Sequence, residues 1–251
     1  MYCIKITFTP RTIVDDKETT AELLWDYLCG LYRSGQILKD YLLVKNGESY
    51  AAFVTMPESN SLDARYSNVY AAKALEALKK LFELSTEVLG ENLNTEDSCT
   101  CAEKPDWYML YTSLYNEESP VACGRCGKSV PLYKMPFIHV KGTDGHFEDE
   151  HYSTLSWQED YRAIDKLWMA CLADRFTFRQ MHNLDSILSK TGRYICKEYE
   201  ELTDIPCYYY LYNHIKAPKA CPSCGGAWKL RGEETFIDYK CEKCRLVADG
   251  A

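Results

Sequence analysis

The sequence has no run of about 18 apolar residues, so no segment is expected to cross a membrane as a helix. Its opening, MYCIKITFTP, is too short and too alternating for a secretory leader, and the expected compartment is the cytoplasm. There is no glycine-rich loop to cradle phosphate, no Gly-x-Ser-x-Gly and no His-Glu-x-x-His. No Cys/His pair stands apart from cysteines with a structural use. An enzyme is therefore the least expected class. A surplus of positive charge is also missing, since 37 acidic residues face 29 basic ones for a net charge of −8. The imbalance is local: residues 1–120 carry 19 acids and 11 bases, 121–216 carry 13 and 12, and 217–251 carry 5 and 6. Without a basic footprint, non-specific nucleic-acid binding is disfavoured. An acidic N-terminal half steers instead toward a basic partner.

Cysteine is what the chain has in quantity. Thirteen residues, an odd number, read in a reducing compartment as metal ligands plus free thiols. The strongest signal runs from Cys221 to Cys244. Cys221-Pro-Ser-Cys224 and Cys241-Glu-Lys-Cys244 are Cys-x-x-Cys knuckles with sixteen residues between them, the spacing of a four-cysteine zinc ribbon. Gly225 and Gly226 permit the positive φ of the turn, and the run between the pairs can fold as a hairpin that sets one pair opposite the other. A Zn2+ held by four sulfurs has no position left for water, so this ion is expected to be structural. Cys99, Cys101, Cys123 and Cys126 form a Cys-x-Cys and a Cys-x-x-Cys. They would make a second metal site, or stand as free thiols in loops. The metal reading is preferred because four such thiols would otherwise be exposed and reactive. Cys29, Cys171 and Cys196 lie in apolar helical patterns and read as core.

Taken in order, Tyr2, Ile4, Ile6 and Phe8 alternate as one face of a strand. A helix capped by Thr19 or Thr20 carries Leu23, Leu24, Tyr27, Leu28 and Leu31 and ends at Gly35. Tyr41–Lys45 and Ser49–Met56 flank Asn46-Gly47, the signature of a type I′ hairpin. A second helix is expected from about Asn68 to Leu84, with a short strand near Glu87. Strand, helix, hairpin, helix, strand is the order of a ferredoxin-like sandwich. Further on, Trp107–Leu114 reads as a strand. The segment 131–155 reads as a turn-rich connection in which His139, His146 and His151, beside Glu148, Asp149 and Glu150, form a solvated acidic loop rather than a metal cluster, because no ligand spacing links the histidines. A helix capped by Ser156 with Glu159 in a capping box places Tyr161, Ile164, Leu167, Trp168, Cys171 and Leu172 on one face. Two more follow, from about Arg175 and over about 190–202. Cys207–Tyr212 is the most β-prone run, with Tyr208, Tyr210 and Tyr212 sharing one face. That row could stack on bases, but packing against the three helices is preferred.

The expected fold class is α+β. Residues 1–95 form the ferredoxin-like sandwich, 96–150 a loop-rich segment with the possible second zinc site, 151–206 a helical segment, and 207–251 a strand and zinc ribbon.

Ser119-Pro-Val-Ala-Cys-Gly-Arg-Cys126 followed by Val130-Pro-Leu-Tyr133, Trp157-Gln-Glu-Asp-Tyr161, Tyr208–Tyr212, Cys221-Pro-x-Cys224 with Trp228, and Tyr239–Leu246 together resemble a bacterial family of zinc-ribbon-containing proteins of unknown function, described as possibly nucleic-acid-binding. The likeness covers about the C-terminal 150 residues well and the N-terminal part loosely. It implies zinc at the ribbon and at the earlier knuckle, and no enzyme activity. The acidic balance departs from its nucleic-acid label. The expectation is thus a non-enzymatic zinc-ribbon protein with a basic protein partner, in its most concrete form a bacterial immunity protein that covers the basic active site of a toxin. Asp15, Asp16, Glu18, Glu22 and Asp26, or Glu148, Asp149 and Glu150, would make that contact. Nucleic acid is the alternative partner.

Overall fold

The computed structural model describes residues 1–11, 17–138, 149–213, 218–230 and 236–249. The chain is α+β, with two sheets and five α-helices among the described residues. No described helix is long and apolar enough to cross a membrane.

The N-terminal unit is a four-stranded antiparallel sheet in the order β2-β3-β1-β4. Its strands are β1 (Tyr2–Pro10), β2 (Leu42–Asn46), β3 (Ser49–Met56) and β4 (Phe82–Glu91). Helices α1 (Lys17–Arg33) and α2 (Val69–Leu81) cover one face. The alternation in β1 points Ile4, Ile6 and Phe8 at these helices, where Leu24, Leu28, Leu31 and Leu78 meet them, each at most 1% exposed. Removing one such Leu is expected to cost about 2–5 kcal/mol. The two helices cross where α1 carries Gly30, since a Cβ there would lie 2.8 Å from the Ala71 backbone.

Three local expectations are corrected. Helix α1 begins at Lys17, so Thr19 and Thr20 lie inside it. The hairpin turn is Gly47-Glu48, because Asn46 pairs with Ser49 and Gly47 alone takes a positive φ (60°). The Asn46 carbonyl and amide are thereby spent on the ladder rather than the turn. Helix α2 stops at Leu81, and β4 is ten residues long from Phe82, because pairing along all of β1, from Pro10↔Phe82 to Tyr2↔Glu91, outweighs the helical pattern of its first residues. Asn68 caps α2 by accepting from the Ala71 N–H at 2.7 Å.

The second sheet, β6-β5-β7-β9-β8, gathers β5 (Tyr108–Leu110), β6 (Val121–Cys123), β7 (Cys207–Tyr210), β8 (Tyr239–Cys241) and β9 (Leu246–Ala248). Pairs β5/β7 and β7/β9 are parallel. Parallel neighbours need a crossover, and between β6 and β7 the chain forms α3 (Tyr152–Met169), α4 (Asp174–His182) and α5 (Ile187–Thr203). The sheet is buried on both faces. Tyr209 and Leu211 point into the core shared with Trp157, Leu188, Ile195 and Tyr199, while Tyr208 packs on the reverse face with Met109, Ala122, Ile237 and Val247. Of the tyrosine row only Tyr208 is buried, on the face away from the helices, and Tyr210 and Tyr212 are half-buried; Tyr209 is the one that packs into the helical core, and Tyr212, beyond the strand, bonds Trp168 at 3.3 Å.

Helix α3 starts at Tyr152, one turn before the expected cap, so the Ser156/Glu159 box does not form. The His151 backbone N–H is held instead by the Arg33 carbonyl at 2.9 Å, which fixes the start of the helix against α1. At its other end Leu167, Cys171 and Leu172 are exposed, contrary to the apolar face expected there, because the helix outruns the sheet that covers Tyr161. Cys171 is thus not core, whereas Cys196 is.

The joint between the units overturns the solvated-loop reading for its described part. Glu150 is 2% exposed and pairs with Arg33 at 3.2 Å. His151 is fully buried with its ring 4.7 Å from Phe137. His139, His146 and Glu148 lie outside the described residues. Burial pushes the His151 imidazole down to about 3. Between that value and the roughly 6.5 of an unfolded chain, only the unfolded chain binds the proton, so stability falls as pH drops through this window. The loss by pH 5 is about 2 kcal/mol. Urea melts at neutral and mildly acidic pH should show that slope, and His151→Phe should flatten it. An identical slope in the variant would locate the acid sensitivity elsewhere.

Candidate metal centres and an acidic helix face

Both cysteine quartets close in space. The sulfurs of Cys99, Cys101, Cys123 and Cys126 lie within 4.8 Å of one another, and so do those of Cys221, Cys224, Cys241 and Cys244. Cys123 ends β6 and Cys241 ends β8, the two outer strands of the five-stranded sheet, so one centre sits at each edge.

The knuckles share one backbone design. Cys123 N–H donates to the Lys128 carbonyl at 2.9 Å and Gly127 N–H returns to the Cys123 carbonyl at 2.8 Å. Cys221 N–H donates to Gly226 and Gly225 N–H to Cys221, each at 2.8 Å. The turn residue after the second cysteine is left-handed in both, with φ of 74° at Gly127 and 72° at Gly225. Gly226 supplies the carbonyl and is not among the positive-φ residues. In the third knuckle, Cys241–Cys244, the same place belongs to Arg245 at φ 51°. A non-glycine residue there costs about 1–2 kcal/mol. Its guanidinium offsets this by gripping Glu200 of α5 through Nε and Nη2 at 2.8–3.1 Å, with the Glu242 carbonyl at 2.7 Å. Sequence reading missed Arg245, and the absent glycine after Cys244 was the available signal.

The geometry suits a metal ion. Cys224 and Cys241 sulfurs are 3.8 Å apart. That is about the edge of a tetrahedron with metal–sulfur bonds of roughly 2.3 Å. The thiols are electrostatically split: the Gly226 N–H aimed at its sulfur, with its neighbour thiols, lowers Cys224 to about 7, while burial pushes Cys241 up to about 12 and also raises Cys244 and Cys99. Four thiolates so close need a cation among them.

Beside the second centre, a groove of about 1030 Å³ separates α5 from the knuckles. Lys190, Arg193, Lys197, Lys243 and Arg245 line it against Glu200, Glu201 and Glu242. Lys190 pairs with Asp185 at 3.8 Å and Lys197 with Glu201 at 3.2 Å.

The predicted contact residues divide. Asp15, Asp16 and Glu148 lie outside the described residues, Glu150 is buried, and Asp149 is exposed. Glu18, Glu22 and Asp26 recur every four residues along the exposed side of α1. Trp25, 55% exposed, sits among them, and Tyr70 of α2 is 40% exposed across a groove of about 430 Å³. Both aromatics were overlooked in the sequence. Trp25 falls one position off the Leu24/Leu28/Leu31 stripe, and that offset was readable.

Three family models match the chain, each described as a domain of unknown function: DUF8589 over residues 1–90, DUF2310 over 102–212 and DUF8594 over 215–251. A protein of Haemophilus influenzae named only as uncharacterized is 31% identical over 266 aligned positions, covering 99% of this chain and 98% of that one. A second from the same organism is 32% identical over 172, covering 65% and 80%. Among solved structures, a mutant of SnoaB, titled a cofactor-independent oxygenase from Streptomyces nogalater, covers 36% of this chain and 94% of its own at a TM-score of 0.30 and 11% identity.

Elemental analysis should find two equivalents of metal per chain. Cys123→Ser should remove one and Cys221→Ser the other, each lowering the melting temperature. No metal in the wild type, or unchanged melting in both variants, would refute the assignment.

Proposed function

We propose that this chain, which belongs to the family of the Haemophilus influenzae protein that matches it nearly end to end, is a non-enzymatic, zinc-clamped binding protein whose partner is a basic protein. The observation that carries this reading is the outer side of α1, where exposed Trp25 stands among Glu18, Glu22 and Asp26. Trp is the residue type most enriched at interface hot spots, and carboxylates around it favour a cationic partner and speed its approach. Zinc suits all-thiolate tetrahedra and leaves no open position for a reacting water, which favours a structural part for both centres. The N-terminal unit is read as a ferredoxin-like sandwich, a reading supported by its strand order and its two helices on one face.

In its most concrete form the protein is an immunity protein that covers the basic active site of a toxin. Glu18, Glu22 and Asp26 would pair with the toxin's cations while Trp25 fills an apolar recess. Glu150 is committed to Arg33 and takes no part.

Affinity purification from the native host should retain a basic polypeptide, and Trp25→Ala or Glu22→Lys with Asp26→Lys should release it. Tight binding of mixed-sequence nucleic acid that weakens steeply with salt, with no protein retained, would replace this reading with the nucleic-acid one.

A further inference from the structure

We propose that Cys224 is a site of oxidation by hydrogen peroxide, and that its oxidation empties the second metal centre while the first keeps its ion. The inference rests on metal at Cys221, Cys224, Cys241 and Cys244 and is independent of the reading of α1.

Access differs between the two centres. Cys221 and Cys241 are buried, but Cys224 is exposed and forms part of the wall of the groove of about 1030 Å³, beside Ser223 and Cys244. Two other thiols of that groove, Cys196 and Cys207, are 2% and 0% exposed. The turn that carries Cys224 is bare, because a Cβ added at Gly225 would meet nothing within 4 Å and one at Gly226 would touch the Cys224 sulfur at 3.5 Å. The turn of the first centre is covered instead. A Cβ at Gly124 would lie 2.2 Å from the Trp107 ring and one at Gly127 would lie 3.4 Å from Phe236, and these two rings stack 5.8 Å apart. Cys126 is exposed there as well, so the aromatic cover on the turn is what separates the centres.

Charge separates them further. In the groove, Glu200 and Glu242 are engaged by Arg245 and Glu201 by Lys197. Arg193 and Lys243 line it as well, and neither makes an ion pair among the described residues. At the first centre Arg125, between Cys123 and Cys126, is held by Glu103 at 3.1 Å and Asp106 at 3.6 Å. Cations near a sulfur favour its anionic form and the hydroxide that leaves when it is oxidised.

A metal-held thiolate is already deprotonated, so exposure decides which one an oxidant reaches. The Cys224 sulfur attacks one oxygen of the peroxide. The S–O bond forms, the O–O bond breaks, hydroxide departs, and the sulfur, now a sulfenic acid, has lost the two electrons that the peroxide gained. Cys241, its sulfur 3.8 Å away, then attacks the sulfenic sulfur; the S–S bond forms, the S–O bond breaks and a second hydroxide leaves. In sum, two thiolates, one peroxide and two protons give one disulfide and two waters. With two of its four ligands joined to each other, the site no longer holds an ion.

Treating the full, metal-loaded chain with a small excess of hydrogen peroxide, with a colorimetric chelator recording free metal, tests this. One of the two equivalents should be released, and peptide maps without reductant should show Cys224 linked to Cys241 while Cys99, Cys101, Cys123 and Cys126 remain open to alkylation after denaturation. Phe236→Ala, which uncovers the first turn, should release the second equivalent too. Arg193→Glu with Lys243→Glu should slow release several-fold, with the metal content before treatment unchanged. Metal that is bound before treatment and fully retained after it, both equivalents leaving the wild type together, or Cys224 still a free thiol in the emptied chain would each overturn the oxidation site alone. A chain with no metal at the second centre before treatment would overturn it together with the metal assignment.

Discussion

Four sulfurs within 4.8 Å of one another cannot all ionise without a cation among them, and the larger sheet ends in such a quartet at each edge. The strands that carry them, β6 and β8, are only three residues long, too short to be held by their own ladders. Metal binding in such sites is folding free energy, on the order of 10 kcal/mol or more per ion. Metal bound at both quartets would therefore hold the sheet, and with it the helices that need it as a surface to pack on. Arg245 ties one of them to α5, and Glu200 is held charged by the same contact, its carboxyl lowered first by the hydrogen bonds from Arg245.

Charge is unevenly placed over the chain. Around the second quartet, Lys190, Arg193, Lys197, Lys243 and Arg245 face Glu200, Glu201 and Glu242 across one groove. Helix α1 is different. Its carboxylates stand at a surface with an exposed indole, where ion pairs add little to stability. The acidic total of the chain and its cationic groove are thus compatible.

The N-terminal unit was largely legible because β1 alternates cleanly and α1 repeats its leucines on one side, both local patterns. What failed there were boundaries. The start of β4 was hidden because Phe82 and Leu84 continue a helical pattern, and only pairing with β1 converts them to strand. Cys171, Leu167 and Leu172 looked like core for the same reason: periodicity shows which side of a helix is apolar, but not where the neighbouring surface ends. Glu150 and His151 were misplaced because burial of a charge depends on a distant partner, here Arg33, more than one hundred residues away in sequence.

By itself, the sequence marked the two cysteine quartets as candidate metal ligands, since thiolate spacing within a knuckle is set by a turn of a few residues and glycine or its absence marks the left-handed position. It also determined the alternation and helical stripes of the N-terminal unit. Tertiary structure alone decided that five short strands from distant stretches form one sheet, and which carboxylates face water. Those outcomes depend on contacts between segments far apart in the chain, and no local preference of φ, ψ or hydropathy encodes them.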